Sequence, residues 1–291
     1  SPPMNSKTIQ WYPGHMAKAK RIVAEDLKLV DVVVEVLDSR LPRSSSNPVL
    51  QELIGARPVV IALNKSDLAD PLINEAWVKY FESSGRAAAL INAVDGKGIR
   101  MLMQKVRQAG SAAMAKLAGK GLRPRPVRVM IIGIPNVGKS SLVNRVVRTA
   151  SAKTGDKPGV TRGRQWIRVD ANVDLLDTPG ILPPSLPDQK NALLLGLCGA
   201  LKDTIYDTDE AAMELIHQLE VRYPGRFQER YLKGKVLDSP SLEDLLSEAA
   251  RSQGLLGKEG IPQIDNMARM ILADFRQGRL GPISFEVPRG K

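Results

Sequence analysis

The residues best equipped for chemistry are Gly133-Ile-Pro-Asn-Val-Gly-Lys-Ser140, which fit the pattern G-x-x-x-x-G-K-[ST]. Gly133 and Gly138 let the backbone turn tightly and approach a phosphate chain. Pro135, Asn136 and Val137 lie between them, and Ser141 opens the helix that follows Lys139 and Ser140. Successive N–H groups then point at phosphate oxygens, helped by the positive end of that helix. Lys139 brings a point charge to the β- and γ-phosphates, and the Ser140 hydroxyl is suited to Mg²⁺. The flanks agree. Val127, Val129, Met130, Ile131 and Ile132 read as a buried strand, and Ser141–Arg148 as a helix.

Two further patterns name the base and the metal. Asn64-Lys65-Ser66-Asp67 is N-K-x-D. The Asp67 carboxylate can accept from guanine N1–H and the exocyclic amine, a donor pair that adenine lacks. Asn64 suits the base N7, and the Lys65 stem can lie over the ring. Asn92 and Ala93 follow the next strand, where the Ala93 N–H is placed to reach guanine O6. Asp177-Thr-Pro-Gly180 is D-x-x-G. Asp177 is expected to reach Mg²⁺, and the Gly180 N–H the γ-phosphate. Thr161 in Pro158-Gly-Val-Thr161 is expected to offer its hydroxyl to Mg²⁺ and its N–H to the γ-phosphate. Each short pattern is common by chance. Four of them, each ending a strand, are not.

Those strands must be carried by an α/β sheet. Val32–Leu37, Pro58–Leu63 and Ala87–Ile91 read as strands, as do Gln165–Val169 and Val173–Leu176. Helical patterns lie over Ala17–Val30, Leu72–Ser83 and Ile99 to about Leu117. The alternation predicts a mostly parallel sheet covered on both faces. Arg43–Pro48 is Ser-rich and reads as a mobile loop. Beyond Pro187 helical periodicity dominates, in Asn191–Tyr206, Asp209–Arg222, Ser241–Ser252 and Ile264–Gln277. Asp209 and Ser241 are the expected N-caps. The chain therefore divides into a nucleotide domain over 1–184 and an all-helical domain over 185–291.

Composition narrows the class. The 291 residues are 43% hydrophobic but only 4% aromatic, so aliphatic side chains must fill the cores. No apolar run approaches the ~20 residues of a membrane span, so the chain reads as soluble, with no membrane partner. Cys198 is the single cysteine and fits a reducing compartment; with two histidines, a His-based metal site is not expected. Ser1-Pro-Pro-Met4 lacks a signal-peptide pattern, so either Met4 is a natural start or the chain is a processed form. The net charge is +11, and it is unevenly spread. From Lys97 to Arg168 there are seventeen Lys/Arg and one acid, Asp156, which reads as a basic face for nucleic acid. Arg276, Arg279 and Arg289 are as well explained by a solvated basic end as by RNA contact.

The order of the motifs is unusual. The base-reading motifs precede the phosphate loop, which precedes Thr161 and Asp177. The domain is thus expected to be circularly permuted, its ends joined through a 110–127 linker. This resembles the circularly permuted Ras-like GTPases. Trp11-Tyr-Pro-Gly-His-Met-Ala-Lys-Ala19, Asp38-Ser-Arg-Leu-Pro42, the Pro-Gly-x-Thr loop and the helical C-terminal part are similar to the ribosome biogenesis GTPase A family, over nearly the whole chain. The resemblance implies GTP hydrolysis, action on a late precursor of the large ribosomal subunit, stimulation by that particle, and rRNA binding through the helical domain. It also implies a monomer off the ribosome, in the cytoplasm or, alternatively, a plastid or the mitochondrial matrix.

Ile181 stands where Ras-like proteins keep a Gln that orients water, and isoleucine cannot polarise water. The resemblance assigns that role to His15, beside Lys139, Thr161 and Gly180; a turn-capping or RNA-contacting histidine is the alternative. In related GTPases an Asn at the Asn136 position helps bind K⁺ between the phosphates, and an Asn kept for loop geometry is the alternative. The segment after Gly180 leads into the helical domain through Ile181–Pro187, so nucleotide state is expected to set that domain's orientation. A nucleotide-gated RNA scaffold with incidental hydrolysis, or a related factor of the small subunit, would carry the same motifs.

Overall fold

The computed structural model describes residues 13–154, 166–202 and 206–289. Trp11, Tyr12 and the 155–165 stretch, Thr161 included, lie outside the described residues. Two compact units result. One holds residues 13–185 together with 286–289, and the other is Leu186–Phe285.

The first unit is built on a seven-stranded sheet: β1 (Val32–Asp38), β2 (Val59–Asn64), β3 (Ala87–Leu90), β4 (Val127–Gly133), β5 (Trp166–Asp170), β6 (Val173–Leu176) and β7 (Gly180–Ile181). The order is β3-β2-β1-β4-β6-β5, with β7 also on β4. Every pairing is parallel except β5 with β6. Every residue of β1 is buried, as a central strand covered on both faces requires.

The two faces follow from the period-two alternation. Val34, Val129, Ile131, Val173 and Leu175 turn toward Leu102 and Val106 of α4 (Ile99–Gly119) and Val146 of α5 (Lys139–Thr154). On the other face, Val33, Met130 and Ile132 pack with Val23 and Leu27 of α1 (Pro13–Leu27) and with Leu50 and Ile54 of α2 (Val49–Ile54). Further along that face, Leu37, Ile61 and Leu63 meet Trp77 and Phe81 of α3 (Pro71–Ser83). In this way β1 and β4 become neighbours, and the base-reading half joins the phosphate-loop half in one sheet.

The structure differs from the sequence reading in several places. Helix α4 runs to Gly119, so only 120–126 is left as irregular linker and not 110–127. The Ser-rich run is fastened in place rather than left loose. Ser46 Oγ donates to Glu35 Oε1 at 2.5 Å, the Asp38 N–H to Ser45 Oγ at 2.9 Å, and Asn47 Nδ2 to the Pro183 carbonyl at 2.6 Å. Glu286 closes the same loop from 243 residues further along the chain than Arg43. It accepts from the Arg43 and Ser44 N–H groups at 2.8 and 3.2 Å and from Ser44 Oγ at 2.5 Å. Its own carbonyl accepts from Trp77 Nε1 at 3.0 Å. Residues 286–289 therefore belong to the first unit, whereas the division at 185 assigns them to the helical one. No local pattern could reveal that return.

Glu286→Ala would leave two part-buried backbone donors and a hydroxyl without their carboxylate, at a cost of about 2–3 kcal/mol. Its thermal midpoint is expected to fall by roughly 5–10 °C. A midpoint within about 1 °C of the parent would show that the carboxylate fastens nothing.

The second unit contains α6 (Gln189–Leu197), α7 (Thr208–Arg222), α8 (Arg226–Tyr231), α9 (Leu242–Ser252) and α10 (Ile264–Arg276). Ser241 caps α9 in a reciprocal box with Asp244. The cap of α7 is Asp207 and not Asp209: its carboxylate accepts from the Asp209 and Glu210 N–H groups. The Asn191–Tyr206 pattern breaks at Leu197, where Cys198 is the C-cap and Gly199 takes a φ of 82°. Cys198 is buried, and His217 is exposed on α7. Arg276 serves the fold: it donates to Tyr206 Oη at 2.6 Å and to the Gly196 carbonyl at 3.3 Å. Among the described residues no helix is long and apolar enough to cross a membrane.

Candidate nucleotide site

The site grows from the carboxyl ends of β2, β3, β4 and β6. Asn64 ends β2 and is 3% exposed. Its Nδ2 donates to the Val137 carbonyl at 2.7 Å, and its Oδ1 accepts from the Ala93 N–H at 3.0 Å. A single side-chain amide thus ties the phosphate loop to the loop after β3. Gly138 is the consequence. At a φ of 108°, a Cβ there would lie 2.2 Å from Asn64 Nδ2, so no other residue fits.

Lys65 and Asn136 both take left-handed backbones, with φ of 57° and 63°. Lys65 Nζ donates to the Asn136 carbonyl at 3.4 Å, which lays its stem across the space between the two motifs. Asp67 accepts from Asn92 Nδ2 at 3.0 Å through Oδ1, and among the described residues Oδ2 accepts no hydrogen bond. Asn92 Oδ1 in turn accepts from the Val94 and Asp95 N–H groups at 3.0 and 3.2 Å. The Ala93 N–H, expected on guanine O6, is therefore engaged by Asn64, and Asn64 itself is engaged at both ends.

Lys139 opens α5 and is 6% exposed. Its ammonium donates to the Ile134 carbonyl at 2.5 Å. Burial pushes its pKa down to about 8. The unfolded chain keeps this proton up to about pH 10.4. Stability of the nucleotide-free protein should thus rise between about pH 8 and about pH 10. A phosphate beside Lys139 favours the charged form. Nucleotide affinity is therefore expected to fall above about pH 8, by at most tenfold per pH unit. Titration of a fluorescent GDP analogue from about pH 7 to about pH 9.5 measures this, and a flat profile would contradict it.

Gly180 pairs with the end of β4, opposite Ile132, and the Leu182 N–H donates to the Gly133 carbonyl at 3.2 Å. A Cβ on Gly180 would lie 2.6 Å from Met130 Cε. D-x-x-G is thus placed directly against the phosphate loop. Ile181 points outward, 53% exposed. Asp177 accepts from Thr178 Oγ1 at 3.0 Å, and Ser140 is exposed. One carboxylate and one hydroxyl are a small protein donor set, and no cluster of three His, Cys, Asp or Glu that could hold a metal occurs among the described residues. That suits Mg²⁺, which keeps waters and takes phosphate oxygens for its remaining positions. His15 is exposed in the first turn of α1, a helix that packs on β7. Pro135 and Ser141 flank the loop, half-buried and exposed respectively, while Thr161 is not among the described residues.

Two supports escape the sequence reading. Arg145 of α5 donates to the Ala93 carbonyl at 3.3 Å and to the Val94 carbonyl. Asp38 carries Arg40 in a buried bidentate pair at 3.0 and 2.8 Å. Burial alone would raise the Asp38 carboxyl, but Arg40 and the Lys65 charge outweigh it and hold it low. The Asp38-Ser-Arg-Leu-Pro stretch is a visible signal for the second; nothing local marks Arg145.

Fold and site together define a P-loop GTPase whose base-reading half precedes its phosphate loop. Residues 128–221 match the family model described as 50S ribosome-binding GTPase, a span that begins at β4 and omits the earlier N-K-x-D. Ribosome biogenesis GTPase A of Bacillus cereus is 42% identical over 96% of this chain and 94% of its own. Mitochondrial ribosome-associated GTPase 1 of Bos taurus is 30% identical over 95% of this chain and 88% of its own. The crystal structure of GNP-bound YlqF from T. maritima superposes with a TM-score of 0.65 at 27% identity, covering 94% of this chain and 100% of that one. The chain belongs to the ribosome biogenesis GTPase A family and hydrolyses GTP.

Proposed function

We propose that this GTPase is an assembly factor that acts on a late precursor of the large ribosomal subunit and is switched on by that particle. The observation that carries the reading is the near-full-length likeness to Ribosome biogenesis GTPase A, in a chain that holds N-K-x-D, the phosphate loop and D-x-x-G complete.

In this reading Asp67 selects guanine through its carboxylate, oriented by Asn92, and the Lys65 stem covers the ring. Asn64 and Ala93 brace the pocket from beneath. Lys139 and the N–H groups from Asn136 to Ser141, with Pro135 shaping the turn, neutralise the phosphates. Ser140, Asp177 and Thr161 would hold Mg²⁺, which would neutralise charge at the β- and γ-phosphates. Gly180 reads the γ-phosphate, and the fixed pairing of β7 on β4 transmits its presence to Leu182 and Pro183. His15 orients the attacking water once the particle has positioned α1. Asn136 would hold K⁺, which would supply the positive charge of an arginine finger. The helical unit and the basic 97–168 stretch bind rRNA, the protein acts as a monomer off the ribosome, and its compartment is the bacterial cytoplasm or an organelle matrix.

The experiment is GTP turnover with purified large and small subunits. Stimulation by the large subunit alone is the expected result, and stimulation by the small subunit would replace this reading with the other.

A further inference from the structure

We propose that the cleft between α4 and α5 binds the sugar–phosphate backbone of RNA. The cleft encloses about 730 Å³, with Arg100 and Arg107 on one wall and Arg145 and Arg148 on the other. Residues seven apart on α4 and three apart on α5 share a helix face, so four arginines line one space. Asp170 is the one carboxylate in the lining, and it pairs with Arg107 at 2.9 Å. Arg145 is committed to the Ala93 and Val94 carbonyls. Arg100 and Arg148 are exposed and make no ion pair or hydrogen bond among the described residues.

Like charges gathered in a concave site repel one another unless an anion enters, and the apolar floor of Met103 and Val146 strengthens their field. Every cation in the lining is arginine and none is lysine, which favours the bidentate geometry of phosphate over a diffuse charge. A repeated anion is favoured over a single one because the two wall helices, α4 and α5, carry eight Lys/Arg between them and no acid. The cleft is separate from the nucleotide site, since Asn64, Asp67, Lys139 and Gly180 do not line it. Arg145 joins the two: the helix face that meets RNA also holds the loop bearing Asn92 and Ala93. The inference rests on the ribosomal reading only for where the RNA comes from.

The test is binding of a fluorescent large-subunit rRNA fragment to the full chain across a salt series, comparing the parent with Arg100→Glu/Arg148→Glu. A charge-matched control, Lys28→Glu/Lys79→Glu, alters exposed lysines on α3 and just beyond α1. The cleft variant is expected to bind about 10- to 100-fold more weakly and to lose about 1.4–1.8 from the log–log salt slope, one phosphate contact per arginine. Its basal GTP turnover should match the parent's. Equal losses in variant and control, or none in the variant, would overturn the site. Equally tight, equally arginine-dependent binding of polyglutamate would reassign the cleft to acidic protein and overturn the RNA assignment. Intact cleft-dependent RNA binding without large-subunit stimulation would support the cleft and overturn the ribosomal reading instead.

Discussion

Asp67→Asn is expected to lower affinity for GTP and GDP by about two to four orders of magnitude. The carboxylate would accept two hydrogen bonds from guanine, each charge-assisted and each about 1.5–3 kcal/mol. Asparagine offers one acceptor and one donor, and the donor would face a guanine amine. Xanthine carries an oxygen at that carbon, so the variant should bind xanthosine triphosphate better than GTP. The fold should survive. Asp67 accepts a hydrogen bond from Asn92 at 3.0 Å, and the amide oxygen of the replacement side chain can accept it equally. Competition binding with the two nucleotides measures the inversion. Retained GTP preference would remove Asp67 from base recognition.

Lys139→Ala is expected to reduce kcat/KM for GTP by about 10²- to 10³-fold, the usual cost of losing one preorganised charge at a reacting phosphate. The side chain is buried with the Ile134 carbonyl as its partner, and burial already pushes its proton off toward about pH 8. Removing a charge held so reluctantly should leave thermal stability near the parent's. Activity and stability therefore separate in this variant. The fall in nucleotide affinity above about pH 8 should also vanish with it, since Lys139 is the group that titrates there. A variant that kept both activity and pH dependence would show that another cation serves the phosphates.

Much of this site is legible in the sequence because its parts are local. A glycine that must approach a phosphate, a carboxylate that must face a base and a strand that must end there are each spelled in one short stretch. Asn64 shows where such reading stops. The motif marks it, but its two engagements, Val137 and Ala93, come from segments 73 and 29 residues away. Glu286 lies further out of reach. A glutamate near a basic C-terminus carries no sign that it closes a serine-rich loop near the start of the sheet. Helix ends resist for a different reason. Asp207 and Asp209 both suit a cap, and tertiary placement of the preceding turn selects the first. Arg145 reads in the sequence only as charge, because its target is backbone and backbone carbonyls have no sequence signature.

Under the proposed function this GTPase is driven by the large ribosomal subunit, with K⁺ completing its phosphate loop. GTP turnover in K⁺ and in Na⁺ buffer, each with and without purified large subunits, tests it most directly. Slow turnover by the free protein, on the order of 10⁻³ s⁻¹, is expected, with strong stimulation by large subunits that is greater in K⁺ than in Na⁺. Turnover that responds to neither the subunit nor the cation would contradict it.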